Sequence, residues 1–339
     1  MGQLCCLSQS RHLHHQLTVR IGIVGYGRLG RSLELLAGED ATVETVGVFT
    51  RRNIKDVHTY GAKVLPLGAI SEYQGGIDVL CLCQGSSCDL PAIAPSLAES
   101  FNTVDAYDNH RGINAHRDRM DAAARESGHT SLVAVGWDPG FLSLIRLYSV
   151  AFIPGAVTNT FWGRGVSQGH SEAIRRIDGV KRAVQYTVPR EDALTLAGLV
   201  RHPLSDTDRH RRVCYVVAEE GSEDYVRREI LTMPDYFIGY DTEIHFVDGG
   251  EFDRYHTSLS HRGRVCTLGS SGRYGEIKHS LNFDLDVGSN PDLTASIMLA
   301  SARATHKLNG RKHIGAYTVF DVPPSYFLPL KCENANNYL

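Results

Sequence analysis

The sequence has no apolar run long enough to cross a bilayer and almost no net charge. Its longest apolar stretches, such as residues 77–83, are the length of a strand and fall far short of the roughly 20 residues that span a membrane. The 35 Lys and Arg residues nearly balance the 38 Asp and Glu residues, and a net charge of −3 gives no overall field for holding a nucleic acid. We therefore expect no membrane partner and no nucleic-acid partner.

Cysteines are also sparse, and none of the eight belongs to a C-x-x-C pair. Cys81 and Cys83 alternate within the apolar run at 77–83, which favours core positions over metal ligands. No metal site is predicted, and reduced thiols favour a cytoplasmic location. Residues 1–18 precede any periodic pattern and lack the form of a secretory signal, so we expect a disordered extension.

From residue 19 onward, strand-sized apolar blocks alternate with amphipathic stretches. The predicted strands are residues 19–24, 43–49, 77–83 and 131–135, and the predicted helices are 29–37, 90–100 and 114–127. This alternation predicts an α/β domain over 19–140, with a Rossmann-type doubly wound parallel sheet. The length of 339 residues leaves room for about one further domain.

The pattern changes after residue 140 to strands with few intervening helices. Helices are predicted at 141–150, 170–177 and 222–233, and strands at 157–162, 182–188, 211–217, 243–247, 264–268 and 276–287. This order predicts a second, α+β domain over 141–290 with a mixed sheet. A helix from about 290 to 306 and a strand at 315–322 follow, and the segment 291–339 is expected to pack back on the first domain.

A G-x-G-x-x-G motif, formed by Gly25, Gly27 and Gly30, follows the first predicted strand and opens the first predicted helix. The first glycine permits the tight turn, the second lets a pyrophosphate approach the backbone, and the third lets helix and strand pack closely. In this context the motif predicts a dinucleotide site, to which the intervening Tyr26, Arg28 and Leu29 belong. Arg28 either contacts a phosphate or points to solvent.

The end of the second predicted strand reads Thr50-Arg51-Arg52, where an NAD enzyme would carry Asp or Glu for the ribose 2′-hydroxyl. A hydroxyl followed by two guanidinium groups suits a 2′-phosphate, because the planar forks bind phosphate oxygens in pairs. The sequence therefore predicts NADP as the cofactor. The alternative is that both arginines are solvated loop charges.

Eight segments together resemble one known family, the meso-diaminopimelate D-dehydrogenases. They occur in the same order from about residue 19 to 319: IVGYG at 23–27, TRR at 50–52, VDAYDNHR at 104–111, GWDPG at 136–140, TFWG at 160–163, SQGHS at 167–171, VQYT at 184–187 and MPDYF at 233–237. The sequence departs from the family in its 18-residue extension, in Arg28 where Asn is usual, and in Phe141-Leu142 where a Met-Phe pair is usual.

The resemblance implies an NADP-dependent oxidoreductase that acts on CH–NH2 groups. Members of this family reversibly and oxidatively deaminate the D-centre of meso-2,6-diaminopimelate to L-2-amino-6-oxopimelate and ammonia. The first product cyclises to tetrahydrodipicolinate, and the reaction is a step towards lysine and cell-wall precursors. It also implies a homodimer, in which the second domain binds substrate and forms the dimer. A D-amino-acid dehydrogenase of broader specificity and an inactive NADP(H)-binding regulator remain as alternatives.

The resemblance also carries over roles residue by residue. It implies that Asp108 and Asp138 hold the D-centre amino group, as catalytic residues, and that Ser86 and Ser87 lie near the nicotinamide ribose. The implied substrate-binding residues are Arg212, Thr187 and His261 at the distal L-carboxylate, Gln168, Gly169 and Asn290 at the D-carboxylate, and Trp137 and Trp162 along the methylene chain.

The residue pattern alone leaves some of these roles open. Asp108 could instead cap a helix, and Asp138 precedes a proline in a turn signal. Strand alternation sends Arg211 and Arg212 to opposite faces, and a solvated strand end is the simpler interpretation of Arg209 and Arg211. No metal is needed, since a nicotinamide accepts the hydride.

Overall fold

The computed structural model describes residues 18–86, 88–257 and 260–329, with only the backbone of Gln168. The expected extension, apart from Thr18, and Ser87 lie outside the described residues. The described chain divides into two compact units, one formed by the residues up to Phe141 and from Pro291 onward, the other by Leu142–Asn290. None of the helices described combines the length and the apolar character needed to cross a membrane.

The strands, in chain order, are β1 (Val19–Val24), β2 (Val43–Thr50), β3 (Val64–Pro66), β4 (Val79–Leu82), β5 (Thr103–Asp105), β6 (Thr130–Leu132), β7 (Val157–Trp162), β8 (Gly165–Val166), β9 (Val180–Pro189), β10 (His210–Ala218), β11 (Thr242–Phe246), β12 (His261–Ser271), β13 (Ile277–Val287) and β14 (Gly315–Tyr317). The helices are α1 (Arg28–Glu39), α2 (Asp89–Ala98), α3 (Ile113–Ser127), α4 (Leu142–Phe152), α5 (Gln168–Arg175), α6 (Glu191–Ala197), α7 (Asp206–Arg209), α8 (Glu223–Leu231), α9 (Gly249–Tyr255) and α10 (Asn290–Gly310).

The first unit contains a seven-stranded sheet in the order β14-β6-β5-β4-β1-β2-β3, and every pairing in it is parallel. All four residues of β4 and five of the six in β1 are buried, as expected for central strands covered on both faces. The order reverses direction at β1, so the turns after β1 and β4 lie at the switch point where such sheets bind ligands. The structure confirms the predicted α/β class.

Two predicted strands of this unit are shorter than the apolar pattern suggests. The one at 131–135 ends at Leu132, and Ala134 adopts a left-handed φ of 55° that no strand allows. The one at 315–322 ends at Tyr317, because the Thr318 side chain and Asp321 form a capping box that starts a 3₁₀ turn at Val319–Asp321. The three-residue strands β3 and β5 were not predicted.

The strands of the second unit are divided between two sheets. One has the order β11-β10-β9-β8 and is mixed, with β10 and β11 parallel and the other pairs antiparallel. The other has the order β13-β12-β7 and is antiparallel. The pattern missed α6, α7, α9 and the two-residue strand β8, which are too short to show a clear period.

Candidate active site

The three motif glycines of the first unit have three different surroundings. Gly25 has a φ of 92°, which favours glycine, and starts the turn after β1. A Cβ on Gly30 would lie 2.3 Å from the carbonyl oxygen of Gly25, whereas a Cβ on Gly27 would meet nothing within 4 Å. Gly27 therefore presents open space at the N-terminus of α1, where a pyrophosphate can approach.

Because the surroundings of Gly30 and Gly27 differ, we expect an alanine at Gly30 to affect mainly stability and an alanine at Gly27 to affect mainly cofactor binding. Gly30→Ala must displace a backbone carbonyl and is expected to lower the melting temperature by about 5 °C or more. Gly27→Ala meets no protein atom, so it should change the melting temperature much less but raise KM for NADP+ about tenfold or more. Thermal unfolding and steady-state kinetics of both variants check this pair, and a Gly27→Ala protein with normal KM would contradict the assignment of the loop.

Arg52 connects the end of β2 to the glycine loop. Its Nη2 atom donates a hydrogen bond of 2.6 Å to the carbonyl oxygen of Tyr26, and its backbone N–H donates to Oγ1 of Thr50 at 3.0 Å. Arg51 instead pairs with Asp89, the first residue of α2, at 2.8 Å, and both side chains are about half exposed. An exposed pair of this kind contributes little to stability, so Arg51 can exchange its partner for a phosphate.

The other cofactor candidates contribute in different ways. The buried Tyr26 side chain donates to the Glu34 carboxylate, and burial together with Glu34 raises the pKa of the phenol. Tyr26 can therefore offer a ligand only its backbone. Arg28 is exposed at the first position of α1, and Leu29 is half-buried.

The two carboxylates predicted to be catalytic lie on loops that follow β5 and β6. Asp108 is exposed, and its backbone N–H donates to Oγ of Ser86 at 3.1 Å, which brings two predicted site residues together. The next helical segments, the 3₁₀ turn His110–Gly112 and α3, have Asn109 and Gly112 as their N-cap residues and no side-chain cap, so Asp108 caps neither of them. Asp138 is half-buried in the turn between the buried Trp137 and Pro139.

In the second unit, Arg212 and Thr187 are directly paired residues of β10 and β9. The buried Arg212 donates from Nη1 to Oγ1 of Thr187 at 2.7 Å, and its guanidinium lies 4.0 Å from the centre of the Tyr240 ring. No salt bridge joins it to a carboxylate among the described residues, and its Nε atom is buried without a hydrogen-bond partner. Burial lowers the pKa of Arg212. A buried cation without a counter-ion is suited to receive one.

His261 is placed beside this pair by a glycine. Gly165 of β8 is the register partner of Thr187, and a Cβ on Gly165 would lie 2.3 Å from ring atoms of His261. The imidazole thus occupies the space that a side chain at Gly165 would fill. The structure brings together the three residues predicted for the distal carboxylate.

Trp162 contacts a residue that was not predicted to belong to the site, His210. Its backbone N–H donates to Nε2 of His210 at 2.9 Å, and the two rings stack at a centroid distance of 5.2 Å. Burial lowers the pKa of His210 to about 3, so the ring is neutral and Nε2 can accept. His210 lies two residues before Arg212 on β10, and the alternation of the strand was the signal that could have revealed it.

The interpretation of Arg209 as a solvated strand end is wrong. Arg209 is the last residue of α7, its side chain is 13% exposed, and its Nη1 atom donates to the carbonyl oxygen of Thr160 at 3.0 Å. The guanidinium also lies 5.6 Å from the centre of the Trp162 ring. Arg211 does pair at the surface, with Glu243.

The remaining substrate candidates lie at helix starts. Gln168 and the exposed Gly169 begin α5, and the half-buried Asn290 begins α10. His170, which follows Gly169, was not assigned a role; its Nδ1 atom is 2.6 Å from Oγ of Ser167. Burial and the charge of Arg212 lower the pKa of His170 to about 3, which adds a neutral imidazole to the surroundings of that guanidinium.

The chain is similar to known proteins along nearly its whole length. The family described as Diaminopimelic acid dehydrogenase C-terminal domain matches residues 136–289. The meso-diaminopimelate D-dehydrogenase of Acetivibrio thermocellus is 44% identical over 325 residues, 95% of this chain and 97% of that protein. The protein of the same name from Corynebacterium glutamicum is 43% identical over 312 residues, 92% of this chain and 96% of its own.

Solved structures agree with the sequence comparison. A DAP dehydrogenase of C. glutamicum in complex with DAP has a TM-score of 0.89 and 42% identity, covering 95% of this chain and 98% of that one. An engineered D-amino acid dehydrogenase bound to NADP+ has a TM-score of 0.85 and 40% identity, and the match covers 94% of this chain and 98% of that one. With relatives above 40% identity over more than nine-tenths of its length, the chain belongs to the meso-diaminopimelate D-dehydrogenase family.

Proposed function

We propose that this protein catalyses the reversible NADP-dependent oxidative deamination of the D-centre of meso-2,6-diaminopimelate. The products are L-2-amino-6-oxopimelate, which cyclises to tetrahydrodipicolinate, and ammonia. Four relatives at 43–45% identity carry the name of this activity, and one solved relative holds DAP. The observation in this chain that carries the proposal is the buried guanidinium of Arg212, bonded to Thr187 and without a carboxylate partner among the described residues.

The first unit fits NADP. Gly27 leaves open space at the start of α1 for the pyrophosphate, and Arg52 places a positive charge beside the loop that carries it. When bound, the nicotinamide supplies the acceptor for the hydride. Thr50, Arg51 and Arg52 are assigned to the 2′-phosphate, and Ser86 and Ser87 to the nicotinamide ribose.

Asp108 and Asp138 are assigned to the D-centre amino group. A hydride leaves readily only from a carbon that bears a neutral amine, so a carboxylate must first accept the ammonium proton, directly or through water. Loss of the hydride leaves a carbon–nitrogen double bond, and water then adds to that carbon. One proton of the water passes to the nitrogen, ammonia departs with the bonding electrons of the C–N bond, and the hydroxyl group releases its remaining proton to become the carbonyl. The exposed Asp108 can exchange a proton with solvent.

The distal L-carboxylate is assigned to Arg212, Thr187 and His261. Charge-assisted hydrogen bonds from a planar guanidinium bind a carboxylate in two places, and a shorter amino acid would leave that guanidinium unpaired. Gln168, Gly169 and Asn290 are assigned to the D-carboxylate. Trp137 and Trp162 are assigned to the methylene chain, which their large apolar rings can cover.

One assay tests this function against its alternatives. With NADP+ at alkaline pH, we expect NADPH formation from meso-diaminopimelate at least 100-fold faster, by kcat/KM, than from the LL isomer, D-alanine or D-lysine. The LL isomer has no D-centre to oxidise, and D-alanine and D-lysine have no distal carboxylate to pair with Arg212. NAD+ should support a much lower rate. Equal rates with D-alanine would favour a broader D-amino-acid dehydrogenase, and NADP+ binding without turnover would favour a regulator.

We also propose a homodimer in the reducing cytoplasm. Helix α4 exposes Val150, Phe152 and Leu147, and Phe152 is 76% exposed, an apolar surface that a second copy could cover. The cysteines Cys81, Cys83, Cys88, Cys214 and Cys266 are free, as is usual in that compartment.

A further inference from the structure

Asp105 is a fully buried carboxylate at the end of β5, three residues before Asp108. Its Oδ1 atom accepts hydrogen bonds of 3.0 Å from the backbone N–H of Tyr107 and from that of Ala134. Its own carbonyl oxygen accepts from the N–H of Val135 at 2.9 Å. One residue thus ties the segment that leads to Asp108 to the segment that leads to Asp138.

The second carboxylate oxygen of Asp105 is bound by a histidine. Nε2 of the fully buried His116, on α3, lies 2.8 Å from Oδ2 of Asp105. The His116 ring also stacks on Tyr107, with ring centres 4.3 Å apart and planes 16° apart. His116 therefore fixes both the carboxylate and a residue of the Asp108 segment. A carboxylate removed from water needs such a complete set of donors.

The conformation of the second segment depends on this carboxylate. Ala134 has a φ of 55°, a left-handed conformation that alanine rarely adopts, and its N–H points at Oδ1 of Asp105. The strand β6 ends just before it and the chain turns towards Trp137 and Asp138. A strained residue persists only where its surroundings hold it, so the bond to Asp105 sets the course of the chain into the Asp138 turn.

We propose that Asp105 and His116 are positioning residues, and that their hydrogen-bonded pair sets the separation of Asp108 and Asp138. This inference rests on the proposed function, which assigns those two carboxylates to the amino group of the substrate. Neither Asp105 nor His116 is exposed, so neither can touch substrate, and both act through the backbone of the two segments. Misplacement of a reacting group by about 1 Å can lower a rate 100-fold.

The main test is Asp105→Ala, with Asp105→Asn as the conservative variant. We expect Asp105→Ala to lower kcat with meso-diaminopimelate about 100-fold and to leave KM for NADP+ and the dissociation constant of NADPH within twofold, since the glycine loop is untouched. The amide oxygen of Asp105→Asn can still accept hydrogen bonds from both N–H groups. The kcat of this variant should therefore be at least tenfold higher than that of Asp105→Ala. In an Asp108→Asn background the further loss from Asp105→Ala should be much smaller.

His116→Phe is the second variant, so that the test does not depend on the folding of Asp105→Ala. Phenylalanine can retain the stack on Tyr107 but removes the donor to Oδ2, and we expect kcat to fall about tenfold. If His116→Phe keeps its kcat, the proposal is overturned even when Asp105→Ala yields no folded protein. The proposal is also overturned if Asp105→Ala lowers kcat by the same factor in the Asp108→Asn background as in the unaltered protein.

The matched control is Asp40→Asn, which weakens another ion pair of the same unit. Asp40 accepts hydrogen bonds from the buried Arg303 and from Thr42, and among the described residues its side chain forms no hydrogen bond with either of the two segments. We expect a lower melting temperature and an unchanged kcat. A kcat loss as large as that of Asp105→Ala would show general destabilisation instead of positioning. If the unaltered protein forms no NADPH, the proposed function itself fails; if it is active and the variants match it, only this inference fails.

Discussion

Asp138→Ala is expected to lower kcat for meso-diaminopimelate by about 10²–10⁴-fold, the range for loss of a group that moves a proton in the rate-limiting step. Without this carboxylate the amino group keeps its proton longer, so the hydride leaves much more slowly. KM for NADP+ should change little, because Asp138 lies on the loop after β6 and not on the glycine loop after β1. NADPH formation followed by absorbance measures both constants.

The control for Asp138→Ala is Asp118→Ala on α3, where the carboxylate is 70% exposed and, within the part of the chain that the structure describes, forms an ion pair only with its neighbour Arg117. It should leave both constants unchanged. Asp108→Ala should resemble Asp138→Ala, and because the two act on one amino group, the double variant should lose less than the product of the single losses. If the kcat of Asp138→Ala stayed within threefold of that of the unaltered enzyme, Asp138 would have no role in the proposed proton transfer.

Arg212→Met is expected to lower kcat/KM for meso-diaminopimelate by about 10²–10³-fold. Each hydrogen bond between charged groups contributes about 1.5–3 kcal/mol, and the substrate carboxylate would enter a buried site without its cation. Activity with D-lysine, which has no distal carboxylate, should fall much less or rise, so the preference for the diacid should shrink. The ratio of the two kcat/KM values measures the contribution of Arg212 to specificity.

Arg211→Met provides a control on the same strand. Arg211 points to the opposite face of β10 and forms a surface pair with Glu243, so its loss should leave both substrates unaffected. If the two methionine variants behaved alike, the distal carboxylate would have to be assigned to a group other than Arg212.

Short sequence patterns predict those parts of the structure whose conformation is decided by neighbouring residues. The glycine motif predicts the turn, the open face at Gly27 and the close approach at Gly30, because each follows from the absence of a side chain. The family was identified from eight short segments, and the relatives confirm it. Strand alternation likewise separates the buried Arg212 from Arg211, whose side chain is 40% exposed.

Contacts between distant segments are not predicted from local patterns. Arg209 appears as one charge in an arginine-rich strand start, yet its partner Thr160 lies 49 positions earlier. The left-handed Ala134 looks like any apolar strand residue, since the carboxylate that holds it lies 29 positions away at Asp105. In each case a hydrogen bond between remote residues overrides the local preference.

The first unit is assembled from two pieces of chain separated by the whole of Leu142–Asn290. Its seventh strand, β14, pairs with β6 and supplies the edge of the sheet, so until residues 315–317 have been synthesised β6 can pair only with β5 and its other side is unpaired. Because domains generally fold as units while the chain leaves the ribosome, the inserted unit can complete its own sheets first. The order of synthesis thus leaves an edge of β6 open to pairing with other strands in the nascent protein until β14 covers it.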